Sequence, residues 1–424
     1  MSTLTPFNSA FPTKPLKYVA ALRGEKVDSV PAEGEYIGLE QIEPGTGRLS
    51  GIELQQQPEG SANIFKQGDV LFGKLRPYLA KGWTTDRAGY CTTEAFVLNP
   101  QNADARFVRY CVLATEFVDA VNGSTYGSKM PRADWAFVSS IYIPFPTRSV
   151  QEHIANFLDQ QTARIDALIT EKETLLKSLS RHQYSYASQL MTRGLNHGVE
   201  LAPSGYPELG ELPAHWSVKR LKFLGDVRSG IAKGKDHKER DTVSLPYLRV
   251  ANVQDGYVDL TEILEIEVGA HEVERYRLQP GDVLMNEGGD NDKLGRGTVW
   301  QGQIDPCVHQ NHVFAVRLFD LGLATWVARF TSTDAARTYF FLRSKQSTNL
   351  ASINQSNVRE LPVPMPPEPE RELILEELER SAKASADLSV HVKGHLARLR
   401  EYRSSLISAA VTGQLDLSTF QAAA

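Results

Sequence analysis

The chain repeats one ordered set of segments at a separation of slightly more than 210 residues. Positions 143–158 read IPFPTRSVQEHIANFL and positions 363–378 read VPMPPEPERELILEEL, so each opens with a branched apolar residue, Pro, an apolar residue and Pro before a helix-like stretch. Gly-Asp-Val-Leu occurs at 68–71 and again at 281–284. Two copies of one unit keep their turns and strands while their loops differ in length. The chain is therefore predicted to contain a duplicated domain plan.

Each copy begins with β patterning and continues into helical patterning. The stretches from Tyr36 and from Tyr247 alternate apolar and polar residues before a Gly-containing turn, which predicts strands. After each proline pair the apolar period becomes 3.5, which is typical of coiled coils. No Pro interrupts 150–200 or 370–424, which permits helices of roughly 45 residues. For a single helix, the core of a helical bundle would be the preferred interpretation, but two helices in matched register favour pairing with each other.

The sequence places twelve apolar residues at the pairing positions of these helices. They are Ile154, Leu158, Ile165, Leu168, Leu175, Leu179, Ile374, Leu378, Leu388, Val392, Leu399 and Leu406. The resulting division is an N-terminal arm (1–12), a β-rich domain (13–147), a helix (148–197), a linker (198–212), a second β-rich domain (213–366), a second helix (367–415) and a tail (416–424). The predicted class is α+β with an internal pseudo-two-fold duplication.

Composition excludes several classes of protein. Hydrophobic residues make up 41% of the chain, charged residues 23%, and the net charge is -5. No apolar run approaches the roughly 18 residues that a membrane span needs. The first fifteen residues lack the basic start and apolar core of a secretory signal. Three widely spaced cysteines predict neither a disulfide framework nor a zinc site, so we expect a reducing cytoplasm.

Catalytic and cofactor motifs are not recognisable in the sequence. GIAKGKD at 230–236 has one residue too few for a phosphate loop and ends in Asp where Ser or Thr would hold Mg²⁺. His309 and His312 have a ligand-like spacing but no third ligand close in sequence. We therefore expect no catalytic residue, metal or cofactor in this chain.

Basic residues cluster with aromatic residues in Gly-rich stretches that follow Gly-Asp-Val-Leu or flank it. Such clusters suit contacts with phosphates and base edges, although a single cluster is more often a solvated loop. Their recurrence in both copies favours DNA binding. The candidates are Lys74, Arg76, Tyr78, Lys81, Tyr126, Lys129, Arg132, Lys233, Lys235, Lys238, Lys293 and Arg296.

This order of parts resembles the specificity subunits of type I restriction-modification systems. The matching features are the two copies of Gly-Asp-Val-Leu, the proline pair followed by SVQEHIANFLDQQTARID, LPAHWSVKRLKFLG at 212–225 and the terminal LISAAVTGQLDL. The resemblance runs from about residue 13 to 418. Departures are the absence of Trp at the start of the first unit and Gln151-Glu152 where the family has Glu-Gln.

The resemblance implies two target recognition domains, each reading half of a bipartite double-stranded DNA site. It also implies that the helices form an antiparallel coiled coil that sets half-site spacing and docks two methyltransferase subunits. Those partners would bind S-adenosylmethionine and methylate adenine, and restriction subunits would bring ATP and Mg²⁺. Two other classes stay open at this stage: a coiled-coil adaptor whose β domains bind protein, and a self-sufficient methyltransferase or nuclease.

Overall fold

The computed structural model describes residues 4–51, 60–125, 130–232, 241–289, 294–346 and 351–417. The chain divides into two compact units, one of residues 1–175 with 391–424 and one of residues 176–390. Each unit contains one β-rich part and a portion of both long helices.

The first unit contains two four-stranded sheets. One has the strand order β2-β9-β6-β7, and the other has the order β3-β5-β8-β4, in which β4 and β8 are parallel. A further pair, β1 with β10, leads into the first long helix. The strands are β1 (Thr13–Pro15), β2 (Ala20–Leu22), β3 (Lys26–Val27), β4 (Tyr36–Ile37), β5 (Ala62–Phe65), β6 (Val70–Gly73), β7 (Gly82–Thr84), β8 (Gly89–Thr92), β9 (Ala95–Pro100) and β10 (Tyr142–Pro144). The helices are α1 (Ala105–Leu113), α2 (Thr115–Gly123), α3 (Trp135–Val138) and α4 (Arg148–Arg193).

The second unit repeats this topology. Its sheet β14-β21-β17-β19 corresponds to β2-β9-β6-β7, and the pair β13 with β24 corresponds to β1 with β10. The strands are β11 (Leu201–Pro203), β12 (Glu211–Pro213), β13 (Ser217–Arg220), β14 (Gly225–Ser229), β15 (Thr242–Leu248), β16 (Leu264–Gly269), β17 (Val283–Asn286), β18 (Gly288–Gly289), β19 (Gly297–Val299), β20 (Val308–His309), β21 (Val313–Leu318), β22 (Lys345–Gln346), β23 (Ala351–Ser352) and β24 (Pro362–Met365). The helices are α5 (Val273–Tyr276), α6 (Ala324–Thr331), α7 (Asp334–Arg343), α8 (Gln355–Arg359) and α9 (Glu368–Thr412).

Each Gly-Asp-Val-Leu segment begins the central strand of its unit. In the first unit Gly68 has a φ of 85°, which an L side chain adopts only with strain, and β6 follows with every residue buried. The equivalent Gly281 has a φ of 94° and precedes the fully buried β17. The duplicated motif thus encodes a tight turn and a core strand.

The two long helices pack antiparallel in each unit. In the first unit Arg400 Nη2 lies 2.7 Å from Glu173 Oε1 and Arg403 Nε lies 2.8 Å from Asp166 Oδ1, so residue numbers rise on α9 as they fall on α4. In the second unit Tyr186 donates to Glu377 over 2.9 Å. The α+β class and the antiparallel pairing of the helices are confirmed.

The helices are also part of each domain core. Ile154, Leu158 and Ile165 of α4 belong to one apolar cluster with Phe107 of α1 and Leu406 of α9. A second cluster joins Ile374 and Leu378 of α9 to Leu190 of α4, Trp326 of α6 and the sheet. Because both helices contribute to these cores, each domain is fixed to the helices beside it.

Both helices end at a glycine in the left-handed region. Gly194 follows α4 with a φ of 72°, and Gly413 follows α9 with a φ of 74°. This conformation at the residue after a helix satisfies its last carbonyl groups and strongly favours glycine. Among the described residues, no helix is both long and apolar enough to cross a membrane.

Candidate nucleic-acid interface

The structure brings two of the basic clusters together at one end of the first domain's sheet. Directly after β6, the amide of Lys74 donates to Glu94 O over 2.9 Å, and the amide of Arg76 donates to Pro131 O over 2.8 Å. Leu75 forms a β-bridge with Arg132. The stretch 74–81 and the described part of 126–132 therefore form one surface, although more than fifty residues separate them in sequence. Tyr126 and Lys129 lie outside the described residues.

Arg76 is presented to solvent by an unusual backbone conformation. Its φ is 51°, a region that costs free energy for residues other than glycine. The hydrogen bond to Pro131 and the 3-10 turn at 77–79 hold this conformation in place. Strain of this kind is retained where the surroundings over-determine the backbone, and it is commonest at functional sites.

The other basic candidates in this cluster make contacts within the protein. Lys81 Nζ lies 2.5 Å from Leu39 O, and burial lowers the pKa of this lysine, with Glu40 opposing the shift. Arg132 uses two nitrogens to bind Glu94, at 3.0 and 3.3 Å. Lys74 is half-buried. Arg76 is thus the most accessible guanidinium of this surface.

Tyr78 is half-exposed, at 52%, and lines a groove of about 880 Å³ that belongs to the first unit. Loop 43–49, α2 and the paired helices form the other walls of this groove. The Tyr78 side chain therefore lies next to the helices, within the 3-10 turn that follows Arg76.

The second domain has the same backbone arrangement with different side chains. After β17, the amide of Glu287 donates to His312 O over 2.9 Å, as Lys74 does to Glu94. Gly288 pairs with Ser352, as Leu75 pairs with Arg132. The positions of Lys74, Glu94 and Arg132 are thus occupied by Glu287, His312 and Ser352 in the second domain. Glu287 forms an ion pair with His312. The two domains therefore share the backbone arrangement of these loops and differ in the loop side chains.

The remaining candidates of the second domain are only partly described. Arg296 is half-buried and donates to Gln254 Oε1 over 3.0 Å. The segment leading to 233–238 enters at the same end of the sheet, because the amide of Ile231 donates to His309 O over 2.8 Å. Lys233, Lys235, Lys238 and Lys293 lie outside the described residues.

The twelve helix-pairing candidates differ in exposure. Leu168, Leu175 and Leu388 expose 44%, 40% and 46% of their surface. Leu179 and Leu399 are half-buried. The remaining seven are buried: Ile154, Leu158, Ile165, Ile374, Leu378, Val392 and Leu406.

The structure also shows residues that the sequence pattern did not single out. Arg403 is 8% exposed, and its guanidinium binds Asp166 and the carbonyl oxygens of Gly45 and Thr46, the latter two at 2.7 and 3.1 Å. It therefore fixes a loop of the first β-rich domain to the helix pair. Arg and Asp on the flanks of an apolar stripe resemble ordinary surface charges, so no sequence signal distinguishes them.

His309 and His312 do not share a ligand. His309 is buried, and its Nδ1 lies 2.6 Å from Val313 O, whereas His312 Nδ1 lies 2.5 Å from Glu287 Oε2. Within the described ranges, no group of three or more His, Cys, Asp or Glu side chains is placed to hold a metal ion.

Comparison with known proteins links this architecture to one family. Residues 33–178 match the model of the type I restriction modification DNA specificity domain. The chain is 24% identical over 333 residues to the type I restriction enzyme EcoKI specificity subunit of Escherichia coli K12, covering 77% of this chain and 69% of that protein. It is 25% identical over 183 residues to the putative type I restriction enzyme MjaX specificity subunit of Methanocaldococcus jannaschii, covering 42% of this chain and 41% of the relative.

A solved chain shares the fold. It is described under "Structural basis underlying complex assembly and conformational transition of the type I R-M system". The TM-score is 0.70 at 17% identity, with 96% of this chain and 98% of the solved chain covered.

Proposed function

The chain belongs to the family of type I restriction-modification specificity subunits, and on that premise we propose that it selects the DNA sequence on which partner enzymes act. Each recognition domain reads one half of a bipartite target in double-stranded DNA. The long helices set the gap between the half-sites and dock two methyltransferase subunits. This chain contributes no catalytic group.

One observation supports this proposal most directly. Both domains place backbone-equivalent loops at the same end of equivalent sheets, with Lys74, Glu94 and Arg132 in one and Glu287 and His312 in the other. DNA sequence is read by side chains on base edges, whereas a fixed scaffold holds those side chains in place. Two copies of a scaffold with divergent loop side chains are suited to two different half-sites.

The chemistry is assigned to partner chains. The methyltransferase subunits would bind S-adenosylmethionine and flip the target adenine out of the duplex before methylating it. Restriction subunits would use ATP and Mg²⁺. Because the substrate is cellular DNA, we place the assembled complex in the cytoplasm.

Mapping methylated adenines across the genome, with and without this chain, tests the proposal. We expect methylation in a two-part motif with a constant gap, and its loss when the chain is removed. An unchanged methylation map would refute the assignment.

Exchange of residues 13–147 for the same domain of a relative tests the division of labour. One half of the motif should change while the other half and the gap remain. A change in both halves would contradict the two-module reading.

Lengthening the helices tests the spacer role. Four residues inserted within 165–185, with a matched insertion in the facing part of α9, add about 6 Å of helix. The preferred gap should then change by roughly one or two base pairs, because half-site separation follows the protein's own geometry. New half-sites at an unchanged gap would argue against this role.

Arg76→Ser tests the candidate surface of the first domain. Loss of one phosphate contact should weaken binding and reduce the slope of log affinity against log salt by about 1. Arg87→Ser is the matched control, because Arg87 forms an ion pair with Glu35 and lies at the other end of the sheet. It follows β7, whose Thr84 pairs with Val70 at the start of β6, whereas Arg76 follows the end of β6. Equal effects from the two variants would argue against this surface.

A further inference from the structure

A short basic and aromatic motif is duplicated at the start of the two domains. Residues 14–18 read Lys-Pro-Leu-Lys-Tyr, and residues 219–223 read Lys-Arg-Leu-Lys-Phe. The two copies are structurally equivalent, because Lys14 pairs with Ile143 and Lys219 pairs with Val363 in corresponding strands. None of the functions assigned above uses this motif.

Each copy ends in an aromatic ring that faces solvent. The central leucine of each motif is fully buried, whereas Tyr18 and Phe223 expose 67% and 66% of their surface. Each aromatic residue closes a 3-10 turn, and the preceding lysine lies over its ring, with Lys17 Nζ 5.1 Å and Lys222 Nζ 5.2 Å from the centroid. A backbone hydrogen bond closes the turn in both domains, from the amide of Val19 to Leu16 O and from the amide of Leu224 to Leu221 O.

These rings lie far from the candidate DNA loops. In the first domain the amide of Gln101, just after β9, donates to Val19 O, whereas Glu94, just before β9, contacts Lys74. The seven residue steps between Glu94 and Gln101 span about 23 Å of extended strand. In the second domain Phe319 donates to Leu224 O at the far end of β21 from His312.

The duplication indicates what covers these rings. Contacts that read two different half-sites should diverge between the domains, as the loop side chains do. Contacts with two copies of one protein should instead be alike. Exposed aromatic residues are typical anchors of protein interfaces, where a few residues contribute most of the affinity.

We propose that Tyr18 with Lys14 and Lys17, and Phe223 with Lys219, Arg220 and Lys222, are two equivalent docking patches for two copies of the methyltransferase subunit. This inference rests on the proposed function. The partner surface would offer an apolar pocket for the ring and carboxylates for the cations.

Charge complementarity supports an acidic partner surface. The first patch contains two lysines. The second contains Lys219, Arg220 and Lys222, of which Arg220 and Lys222 share the carboxylate of Glu360. Each patch therefore has two net positive charges. The first has two lysines, and the second has three cations, one of which is neutralised by Glu360. The second patch is also more apolar, because Phe319 beside it exposes 75% of its surface.

Stoichiometry tests the proposal without disturbing the fold, because both rings are exposed. The full chain and its variants are purified with the methyltransferase subunit, and the assemblies are weighed by native mass spectrometry. The wild-type chain should bind two copies. Tyr18→Ser and Phe223→Ser should each weaken one of the two binding events by ten-fold or more and yield one copy, and the double variant should yield none at the same concentration.

Tyr257→Ser is the matched control, because Tyr257 is 60% exposed but belongs to a loop of the second domain only. It should keep two copies. Two copies retained at wild-type affinity by both single variants would overturn the proposal. Loss of DNA binding with both copies retained would also overturn it, and would identify DNA as the occupant. A wild-type chain that binds no methyltransferase would refute the proposed function itself, and the docking patches with it.

Discussion

The buried ion pair between Arg403 and Asp166 should determine how firmly the first β-rich domain is attached to its helices. Both residues are buried, and Arg403 also binds the carbonyl oxygens of Gly45 and Thr46. The variant Arg403→Met keeps the apolar stem and removes the guanidinium. It leaves a buried carboxylate and two carbonyl groups without their charged partner.

The expected cost follows from these contacts. Breaking a buried pair by removing one partner costs about 3–5 kcal/mol. Arg48 remains 3.2 Å from Asp166, which places this variant near the low end, at about 3 kcal/mol. For a unit of this size, the first thermal transition should fall by roughly 6–12 °C.

The assay combines thermal unfolding with amide hydrogen exchange. Exchange should accelerate in loop 43–49, for example at Gly45, whose amide donates to Ala80 O over 2.9 Å. Arg400→Ala is the control, because its pair with Glu173 is exposed and such pairs contribute about 1 kcal/mol or less. Adding Asp166→Leu to Arg403→Met should restore part of the loss, since the unpaired charge is removed.

Two results would contradict a role for the Arg403–Asp166 pair in attaching the domain. If Arg403→Met cost no more than Arg400→Ala and left exchange of the loop unchanged, the buried pair would have no role in attaching the domain. A double variant less stable than both single variants would equally contradict the desolvation argument.

Three further predictions concern stability and reactivity. Burial lowers the pKa of His309 to about 4 from an ordinary 6.5. The free energy of unfolding is therefore unaffected by this histidine above pH 6.5 and falls by about 3 kcal/mol as the pH falls towards 4. Urea unfolding at several pH values should show this slope, and His309→Asn should flatten it. Gly413→Ala should lower the free energy of unfolding by about 1–2 kcal/mol, because φ at Gly413 is 74° and the added Cβ would lie 2.7 Å from Phe11. Gly24→Ala is the control: its added Cβ meets no atom within 4 Å, so it should be nearly neutral. A thiol reagent at pH 8 should label the native chain slowly and the unfolded chain completely, because burial raises the pKa of every thiol; fast native labelling would contradict the buried placement of Cys91, Cys111 and Cys307.

Much of the architecture follows from sequence periodicity. The change from a period of 2 to a period of 3.5 after each proline pair predicts where β structure ends, and α4 and α9 begin at Arg148 and Glu368, close to the expected positions. The Gly stops after both helices follow from the backbone conformation that only glycine adopts easily. These features are local, so one segment contains all the information that defines them.

The candidate interface was less accessible to sequence reasoning. Proximity of Arg76 to Pro131 depends on a β-bridge between segments more than fifty residues apart, and no local pattern specifies it. The sequence also treats Lys81, Arg132 and Arg76 alike as loop cations. Only the fold shows that Lys81 binds Leu39, that Arg132 binds Glu94 and that Arg76 faces solvent.

The sequence by itself therefore determined the duplicated plan, the long helices and their apolar stripe, because turns, periodicity and helix stops are short-range properties of the chain. The tertiary structure decided which charges are available to a ligand and which are used in the protein, because an ion pair or a buried amine depends on neighbours that are distant in sequence. It also decided that Tyr18 and Phe223 face solvent at the end of each domain opposite the candidate DNA loops. A side chain's exposure is set by what packs around it, and that is fixed only once the strands are paired.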